Sequence, residues 1–316
     1  MCRGTRSIAG LGDAELRVIC GPTAAGKSAL AMRLAEREPV TIISADSRQV
    51  YRRFDIGTAK PSAAEQARVP HEGIDVVDPT ERYSAAVWAH DTKTWIRTAV
   101  EHQRFPLVVG GTGFYLRALA APLFEEPPLD PVRRADLARV LATMSTTELR
   151  RWCTELDPKR AHLGRTQLLR AIEIALLTGC PISGLHRERA RGPSVGLRWL
   201  VVNPSRPALA MRIEQRARAM IVAGWEDEVR QLVRDLPDDA PAWNATGYQA
   251  VRDRIRGTLS RDAMLEHIII DTRQYAKRQR TWFRHQLSSE AVTHVDPDAP
   301  DAADRIERWW TDGRET

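Results

Sequence analysis

The pattern of apolar and polar residues predicts an α/β fold. Short apolar or β-branched runs at 16–20, 41–45, 105–109 and 197–202 are typical of buried strands. Helical spacing of apolar residues follows the runs, as in the segment that begins at Tyr83 and continues to about residue 102. Strands that alternate with helices predict a parallel sheet flanked by helices.

The middle and the end of the chain are predicted to be helical. Prolines interrupt the chain between 122 and 131, and helical patterns without a convincing strand follow, including a helix at 165–178 with Gly179 as its C-cap. Two long helices are predicted at 207–236 and at about 261–287. The predicted domains are a disordered lead-in at 1–14, a core formed by 15–121 and 197–296, a helical insertion domain at 122–196, and a tail at 297–316 with a short helix around Ile306 and Trp309.

The strongest functional signal is the segment GPTAAGKS at 21–28. It fits the P-loop pattern G-x-x-x-x-G-K-[ST] and stands between a predicted strand and a predicted helix. Gly21 and Gly26 allow the tight turn that points backbone N–H groups at an anion. Lys27 offers a charge to a terminal phosphate, and Ser28 offers a hydroxyl to Mg²⁺. The pattern predicts bound di- or triphosphate without specifying the reaction.

An acidic residue, Asp46, follows the second predicted strand. Ligands of open α/β sheets bind beyond the carboxyl ends of the strands, so Asp46 is expected to face the P-loop. Its functional interpretations are a general base and an outer-shell contact of Mg²⁺. A helix N-cap is the structural alternative, because Asp is common at that position.

Glycines follow the third predicted strand, where an acid would be expected in a P-loop NTPase. The sequence there is Gly110-Gly111-Thr112-Gly113. This composition favours a backbone that a ligand approaches closely, with the Thr112 hydroxyl beside it. A plain strand-to-helix turn is the alternative.

Composition and charge narrow the class of protein. The chain is 43% hydrophobic, which suffices for a core. No apolar run reaches the roughly 20 residues of a membrane span, and we see no secretory signal. The four cysteines are scattered, which fits a reducing cytoplasm. The net charge of +6 favours a polyanionic partner only weakly, because many basic enzymes bind no nucleic acid.

A basic helix is predicted within 272–288, TRQYAKRQRTWFRHQLS, which contains no acid. Like charges at helical spacing oppose each other by about 0.2–0.5 kcal/mol per pair, so an anion is expected to compensate. Three interleaved aromatic residues could stack on bases or pack in the core. A solvated basic face is the alternative. The residues that share the basic stripe are Arg273, Lys277, Arg280 and Arg284.

Taken together, the motifs resemble the tRNA dimethylallyltransferase family, also called the tRNA isopentenyltransferases. They span about three quarters of the chain in the family's order. The resemblance implies a P-loop NTPase-like sheet with a helical insertion. The motifs are GPTAAGKS at 21–28, ADSRQVY at 45–51, DIGTAKP at 55–61, PHEGIDVVDP at 70–79, YSAA at 83–86, VGGTGFY at 109–115, TGY at 246–248 and TRQYAKRQRTW at 272–282.

The resemblance implies a Mg²⁺-dependent transfer of the dimethylallyl group from dimethylallyl diphosphate to the exocyclic amine of the adenosine 3′ of the anticodon. Catalytic roles fall on Asp46, as the base, and on Thr23 and Arg273. The implied diphosphate ligands are Gly21, Thr23, Ala24, Ala25, Gly26, Lys27, Ser28 and Arg273. The implied tRNA contacts are Asp46, Ser47, Arg48, Gln49, Thr112, Arg170, Gly247, Tyr248, Lys277 and Arg280. Ser28 would bind Mg²⁺, with Asp46 reaching the ion through water.

The insertion departs from the family at one place. The family usually has an Asn-Asp pair and a basic residue before an R-A-[LI]-E segment. This chain keeps Arg170-Ala171-Ile172-Glu173, but Leu163-Gly164 and Thr166-Gln167 stand upstream. Of the contacts expected around 166–170, we therefore retain Arg170.

The implied chemistry agrees with the residues. Loss of pyrophosphate from an allylic carbon needs positive groups around the leaving oxygens, and a weakly nucleophilic amine needs a carboxylate to accept its proton. The alternatives are a P-loop kinase of small metabolites, an isopentenyltransferase of free adenine nucleotides and a non-catalytic RNA-binding protein. We expect the tRNA anticodon stem-loop and dimethylallyl diphosphate as partners, no membrane association and a monomer.

Overall fold

Six parallel strands form one sheet in the residues that the structure, a computed structural model, describes: 15–120, 129–184, 196–287 and 291–312. In chain order they are β1 (Leu16–Cys20), β2 (Val40–Ala45), β3 (His71–Glu72), β4 (Phe105–Gly110), β5 (Leu197–Val202) and β6 (Val292–Val295). Their order across the sheet is β3-β2-β4-β1-β5-β6. The predicted parallel sheet is confirmed, whereas the two edge strands, β3 and β6, are ones that the apolar pattern did not predict.

Helices connect the strands and continue beyond them. They are α1 (Lys27–Ala35), α2 (Ala63–Arg68), α3 (Ala85–Glu101), α4 (Gly113–Ala120), α5 (Pro131–Thr143), α6 (Thr146–Leu156), α7 (Arg165–Thr178), α8 (Arg206–Val222), α9 (Trp225–Asp235), α10 (Tyr248–Ile255), α11 (Arg261–Gln286) and α12 (Ala302–Thr311). Single 3₁₀ turns lie at Pro158–Arg160 and Pro241–Asn244. None of the helices in the described residues combines the length and hydropathy that a membrane crossing requires.

One helix that was predicted as continuous is two helices in the structure. The predicted helix at 207–236 is the pair α8 and α9, separated at Gly224. Gly224 has a φ of +98°, a left-handed conformation that ends the first helix and that glycine adopts without strain. Apolar spacing alone does not register this break, because both helices bury apolar residues on either side of it.

The chain divides into two compact units, 1–120 with 195–316, and 121–194. The predicted lead-in at 1–14 lies outside the described residues. In the unit at 121–194, α5, α6 and α7 surround a small apolar core that includes Leu149, Leu168 and Ile172. The predicted helix at 165–178 and its C-cap are confirmed, since Gly179 has a φ of +72°.

The sheet of the larger unit separates two cores. Val18 and Cys20 face one core, and Ile19 between them faces the other, as the pleat of a strand requires. The second core includes Trp309 and Trp310 from α12, so the segment predicted as a tail is packed against the sheet.

Arg17 of β1 is buried beneath the sheet. Its guanidinium donates to the Trp310 carbonyl at 3.0 Å and to the Asp312 carbonyl at 2.6 Å. It also lies 5.8 Å from the centre of the Phe105 ring, within range of a cation–π interaction. These contacts bring the first described strand and the last described helix together.

The topology gathers the predicted motifs at one edge of the sheet. The P-loop follows β1, Asp46 follows β2 and Gly111 follows β4, so all three leave from carboxyl ends of neighbouring parallel strands. Cys20 and Ala45 both pair with Gly110, which sets the ends of the three strands level. This is the edge at which open parallel sheets bind ligands.

Candidate active site

The P-loop at 21–28 has the backbone of an anion cradle. Gly21 has a φ of +146°, and a Cβ there would lie 2.2 Å from the Val202 carbonyl oxygen, so only glycine fits. Ala24 and Gly26 have φ values of +61° and +94°. Gly26 is the N-cap of α1 and provides no side-chain cap, so the first N–H groups of the helix remain available to an anion.

The Lys27 side chain is poised in this cradle. Its ammonium donates to the Pro22 carbonyl at 2.7 Å. Burial lowers the pKa of Lys27 to about 8, with a smaller lowering from Arg216, and the carboxylate of Asp46 opposes both. An anion that reaches this ammonium would raise its pKa again, since a nearby negative group favours the protonated form.

An open cleft of about 610 Å³ connects the P-loop with the end of β2. Thr23 and Asp46 both line it, so the structure brings the cradle and the predicted base to one space. One part of its wall is apolar, and the rest is polar. The apolar wall includes Ile213, Ala217, Met220, Trp225 and Ile268, and the polar part includes Arg48, Arg216, Thr272 and Tyr275.

Asp46 has one carboxylate oxygen engaged in a turn. Its Oδ1 accepts the Arg48 N–H at 2.8 Å, which closes a turn of the Asx type. Its Oδ2 makes no hydrogen bond with a described residue. The predicted alternative of a helix N-cap is wrong, because the residues that follow Asp46 form turns and no helix begins there. Oδ2 is left without a protein donor among the described residues.

Arg216 of α8 is a functional candidate that the sequence did not reveal. It lines the cleft, burial lowers its pKa, and the Asp46 carboxylate opposes that shift. A guanidinium in this position supplies a fixed positive charge near the cradle. α8 contains several arginines, and their spacing does not indicate which of them enters the cleft.

Gln279 of α11 ties the cradle to the next strand. Its Oε1 accepts the Thr23 N–H at 2.8 Å, and its Nε2 donates to the Gly111 carbonyl at 2.8 Å. The side chain is 8% exposed, so both bonds are shielded from water. It lies inside the TRQYAKRQ motif, but the sequence assigned it no role.

Thr112 lies beside Asp46's turn. Its Oγ1 accepts the Ser47 N–H at 3.0 Å, and Tyr275 lines the same cleft as Asp46. Burial raises the pKa of Tyr275 to about 12, so the hydroxyl stays protonated at neutral pH. Thr112 therefore positions the Ser47 backbone beside Asp46.

The space beside the glycines around Thr112 is occupied by other protein atoms. A Cβ on Gly110 would lie 2.2 Å from the Ala45 carbonyl oxygen, and a Cβ on Gly113 would lie 2.5 Å from the Trp282 ring. A Cβ on Gly111 would likewise lie 2.5 Å from the amide nitrogen of Gln279. Close packing between protein segments explains these glycines, so the predicted close approach of a ligand is not needed to explain them.

Arg273 is placed at the surface, with its guanidinium 3.9 Å from the Glu214 carboxylate. No hydrogen bond joins it to the P-loop among the described residues. Exposed arginines turn readily, so its predicted contact with the diphosphate stays a prediction.

Two predicted tRNA contacts lie in packed surroundings. Tyr248 is fully buried, and its hydroxyl donates to Glu228 at 2.7 Å. The Gln49 side chain accepts from Ser44 at 2.9 Å and donates to the Ala59 carbonyl at 3.0 Å. Both side chains hold the protein's own loops, and a direct RNA contact by either would require those bonds to open.

The remaining predicted RNA contacts are more open. Lys277 is exposed on α11, Arg280 is half-buried one turn further on, and Arg48 lines the cleft. Gly247 is the N-cap of α10, with a φ of +89°. In the other unit, Arg170 pairs with Glu173 at 2.5 Å. These roles stay predictions.

The donor set fits a magnesium ion that is held mainly by a phosphate ligand. Among the described residues there is no cluster of three or more His, Cys, Asp or Glu side chains that could form a metal cage. Mg²⁺ keeps several waters and is commonly bound by one or two protein oxygens together with substrate phosphates. Ser28 is exposed beside Lys27 in the cradle, and Asp46 follows β2, two strands away in the sheet from β1, so the candidate oxygen donors come from the same edge of the sheet.

Comparisons with known proteins point to one family. The family model described as IPP transferase matches residues 49–286, and that described as isopentenyl transferase matches residues 14–72. A tRNA dimethylallyltransferase from Halorhodospira halophila is 42% identical over 90% of this chain and 94% of that protein. Another from Gloeobacter violaceus is 44% identical over 85% and 89%.

Solved structures show the same fold. The full-length tRNA isopentenylpyrophosphate transferase from Bacillus halodurans is 32% identical, with a TM-score of 0.66 over 93% of this chain and 94% of that one. A eukaryotic dimethylallyltransferase acting on tRNA has a TM-score of 0.77 at 23% identity, covering 95% of this chain and 76% of that one. The second likeness supports the fold alone.

Proposed function

The chain belongs to the IPP transferase family, and we infer from this membership that it is an enzyme that transfers a dimethylallyl group to tRNA. Its curated relatives carry that activity in their names, and the similarity covers most of both chains. One observation carries the finer mechanism proposed below. The P-loop and Asp46 line a single cleft.

We propose that dimethylallyl diphosphate is the donor and that its diphosphate lies on the P-loop. The backbone N–H groups of the loop, Lys27 and Arg216 would balance the charge that grows on the oxygens as pyrophosphate leaves. The apolar wall with Ile213, Met220 and Ile268 suits a five-carbon chain, which would be held out of water beside the cradle. Water excluded from an allylic cation cannot quench it.

The acceptor is proposed to be the exocyclic amine of the adenosine 3′ of the anticodon. The carbon–oxygen bond to the diphosphate breaks, a carbon–nitrogen bond forms, and the amine loses one proton. Oδ2 of Asp46 would accept that proton, which is supported by the engagement of Oδ1 with the Arg48 N–H. The adenine must leave the anticodon stack to enter the cleft, which requires a basic surface for the stem-loop.

Magnesium is the proposed cofactor. Ser28 would hold it directly and Asp46 through water, and the bound ion would help neutralise the departing pyrophosphate. A cytoplasmic location and a monomeric state are also proposed. The tRNA substrate supports the proposal of a cytoplasmic location.

The test is transfer of label from radioactive dimethylallyl diphosphate to a tRNA with adenosine 3′ of the anticodon, with and without Mg²⁺. The expected product is isopentenyladenosine at that position, identified by mass spectrometry of nuclease digests. ATP turnover without prenyl transfer would support a kinase instead. Label on AMP and none on tRNA would support the enzymes that act on free nucleotides.

A further inference from the structure

The cleft beside the P-loop has a direction, because α8 runs along it. Near the start of this helix Arg212 donates to the Ala25 carbonyl at 3.2 Å, so this end of α8 adjoins the cradle. Ile213, Ala217 and Met220 follow on one face of the helix and line the cleft. Seven residues of helix, about 10 Å, separate Ile213 from Met220. Met220 therefore lies toward the end of the cleft that is away from the cradle.

Trp225 closes this far end of the cleft. It is the first residue of α9, follows the left-handed turn that ends α8, and lines the same cleft as Met220. The residue is 1% exposed and belongs to the larger apolar core. Its indole N–H has no hydrogen-bond partner among the described residues, so packing alone holds the ring in place. The site therefore uses the bulk of this side chain and not a polar contact.

Two glycines from separate sequence motifs fit against this ring. A Cβ on Gly57, in DIGTAKP, would lie 2.2 Å from the indole Nε1 of Trp225. A Cβ on Gly247, in TGY, would lie 2.5 Å from Cη2 at the other end of the ring. The backbone of both loops thus touches the indole, and the ring has no room to move toward either of them.

Hydrogen bonds brace the loops behind the indole. The ring of Tyr248 meets the ring of Trp225 edge to face at 5.2 Å, and its hydroxyl donates to Glu228 at 2.7 Å. Glu228 also accepts the N–H groups of Asp55 and Ile56. The wall at the far end of the cleft is therefore a braced block, which yields less to a ligand than a flexible side chain would.

We propose that Trp225 limits the prenyl donor to a five-carbon chain. The inference rests on the proposed function, because it takes the diphosphate to lie on the P-loop and the chain to lie along the apolar wall. A second isoprene unit would extend away from the diphosphate and meet the indole, and overfilling a packed site is unfavourable. The bond changes are the same for both donors. The carbon–oxygen bond breaks, the carbon–nitrogen bond forms, pyrophosphate leaves, and the amine proton passes to Asp46.

The test compares dimethylallyl diphosphate with its ten-carbon homologue, geranyl diphosphate, using the full chain and an anticodon stem-loop RNA. The mass of the modified nucleoside identifies the group transferred. Trp225→Leu opens the far end of the cleft, so the ratio of kcat/KM for geranyl to that for dimethylallyl diphosphate should rise about 10- to 100-fold. Trp225→Phe, a smaller change that does not depend on Trp225→Leu folding, should shift the ratio less and in the same direction. An unchanged ratio in both variants would overturn the proposal.

Trp243→Leu is the matched control. Trp243 belongs to the same apolar core and its ring lies 6.3 Å from that of Tyr248, but it is not among the described residues that line the cleft. This variant should keep the donor ratio of the wild type. An equal rise in Trp243→Leu and Trp225→Leu would overturn the proposal, since a loosened core would then explain both.

The adenine of the RNA is the competing occupant of this wall. A higher KM for the stem-loop in Trp225→Leu, together with an unchanged donor ratio, would assign the wall to the base and overturn the proposal.

A binding measurement separates the inference from the proposed function. Dimethylallyl and geranyl thiolodiphosphates, which react poorly, are titrated calorimetrically into the wild type and Trp225→Leu. The ratio of their dissociation constants should shift toward the geranyl compound by a similar factor in the variant. That shift without prenyl transfer by the wild type would contradict the proposed function but leave the role of Trp225 in place. Transfer by the wild type without that shift would overturn the role of Trp225 alone.

Discussion

The loops at 21–28 and 55–61 look alike in sequence and differ in what they do with their polar groups. Each contains glycine and lysine and follows the pattern of the same family. In the second loop the Lys60 ammonium contacts the Tyr51 carbonyl at 2.7 Å and the carboxylates of Asp55 and Asp75 at 2.5 and 2.6 Å. Its three N–H bonds are therefore used within the protein.

The rest of loop 55–61 is closed in the same way. Glu228 accepts the N–H groups of Asp55 at 3.0 Å and Ile56 at 2.6 Å. A Cβ on Gly57 would lie 2.2 Å from the Trp225 ring. In the P-loop, by contrast, Ser28 and Gly26 are exposed and Lys27 contacts a single carbonyl among the described residues. The two motifs therefore have different causes. The polar groups of loop 55–61 are bonded within the protein, whereas those of the P-loop are left open to a ligand.

The largest effect is expected at Asp46, which lines the same cleft as the P-loop. Asp46→Ala and Asp46→Asn should both reduce kcat by about 10²- to 10⁴-fold, because the amine loses its proton acceptor. Asparagine can still accept the Arg48 N–H, so Asp46→Asn should keep the turn and the affinity for tRNA. Single-turnover transfer of label and RNA binding measure the two properties. Near-normal turnover in Asp46→Asn would reduce the role of Asp46 to closing the turn.

The two lysines test the comparison directly. Lys27→Met should lower kcat/KM for dimethylallyl diphosphate by roughly 10- to 100-fold, the size of one charged hydrogen bond, and leave thermal stability nearly unchanged. Lys60→Met should lower the free energy of unfolding by about 1–3 kcal/mol and leave the kinetics of the folded fraction nearly unchanged. Denaturant titrations and donor-dependent kinetics compare them. Similar losses of both properties in the two variants would remove the distinction between the loops.

The pH dependence of donor use should follow Lys27. Its pKa is lowered to about 8, so the free enzyme loses this charge as the pH rises above 8, and kcat/KM for the donor should fall about tenfold per pH unit. The contribution of Lys27 to stability should rise, not fall, as the pH increases. Between about 8 and 10.5 the unfolded chain holds the Lys27 proton that the folded chain has lost, so this residue's contribution to stability increases with pH. A falling limb that persists in Lys27→Met would assign it to another group.

The smallest effect is expected at Gln279, whose side chain is hydrogen-bonded to Thr23 of the P-loop. Gln279→Met removes both hydrogen bonds at similar volume and should raise KM for the donor about 3- to 10-fold with kcat nearly unchanged, because the Thr23 N–H loses its fixed direction. Gln279→Glu keeps an acceptor for Thr23 but adds a negative charge beside the cradle, so its KM should rise further. Equal KM values for both variants would show that only packing matters at this position.

The sequence predicted most of the elements that position the site. The strand, loop and helix around 16–35 are confirmed, as are the strand at 197–202, the helix at 261–287 to within a residue, and the short helix near Ile306. These predictions succeed because buried runs, caps and helical spacing are local properties of the chain.

The missing parts depend on contacts distant in sequence. β6 has only four residues and pairs with a strand about ninety residues earlier, which apolar spacing does not register. Gln279 acts on Thr23, 256 positions away, and Arg216 is distinguished from other arginines only by the cleft it enters. The Tyr248 motif was recognised, but the hydrogen bond from the buried Tyr248 hydroxyl to Glu228, twenty positions earlier, was not.

Burial of Arg17 has a consequence for synthesis on the ribosome. This side chain emerges early, yet its carbonyl partners at Trp310 and Asp312 are separated from it by 293 and 295 positions. The second core, which contains Trp309 and Trp310, therefore cannot be completed until translation is almost finished. Chaperones have a long interval in which to bind the nascent sheet. The insertion, whose core joins residues between 137 and 172, can fold well before the chain is released.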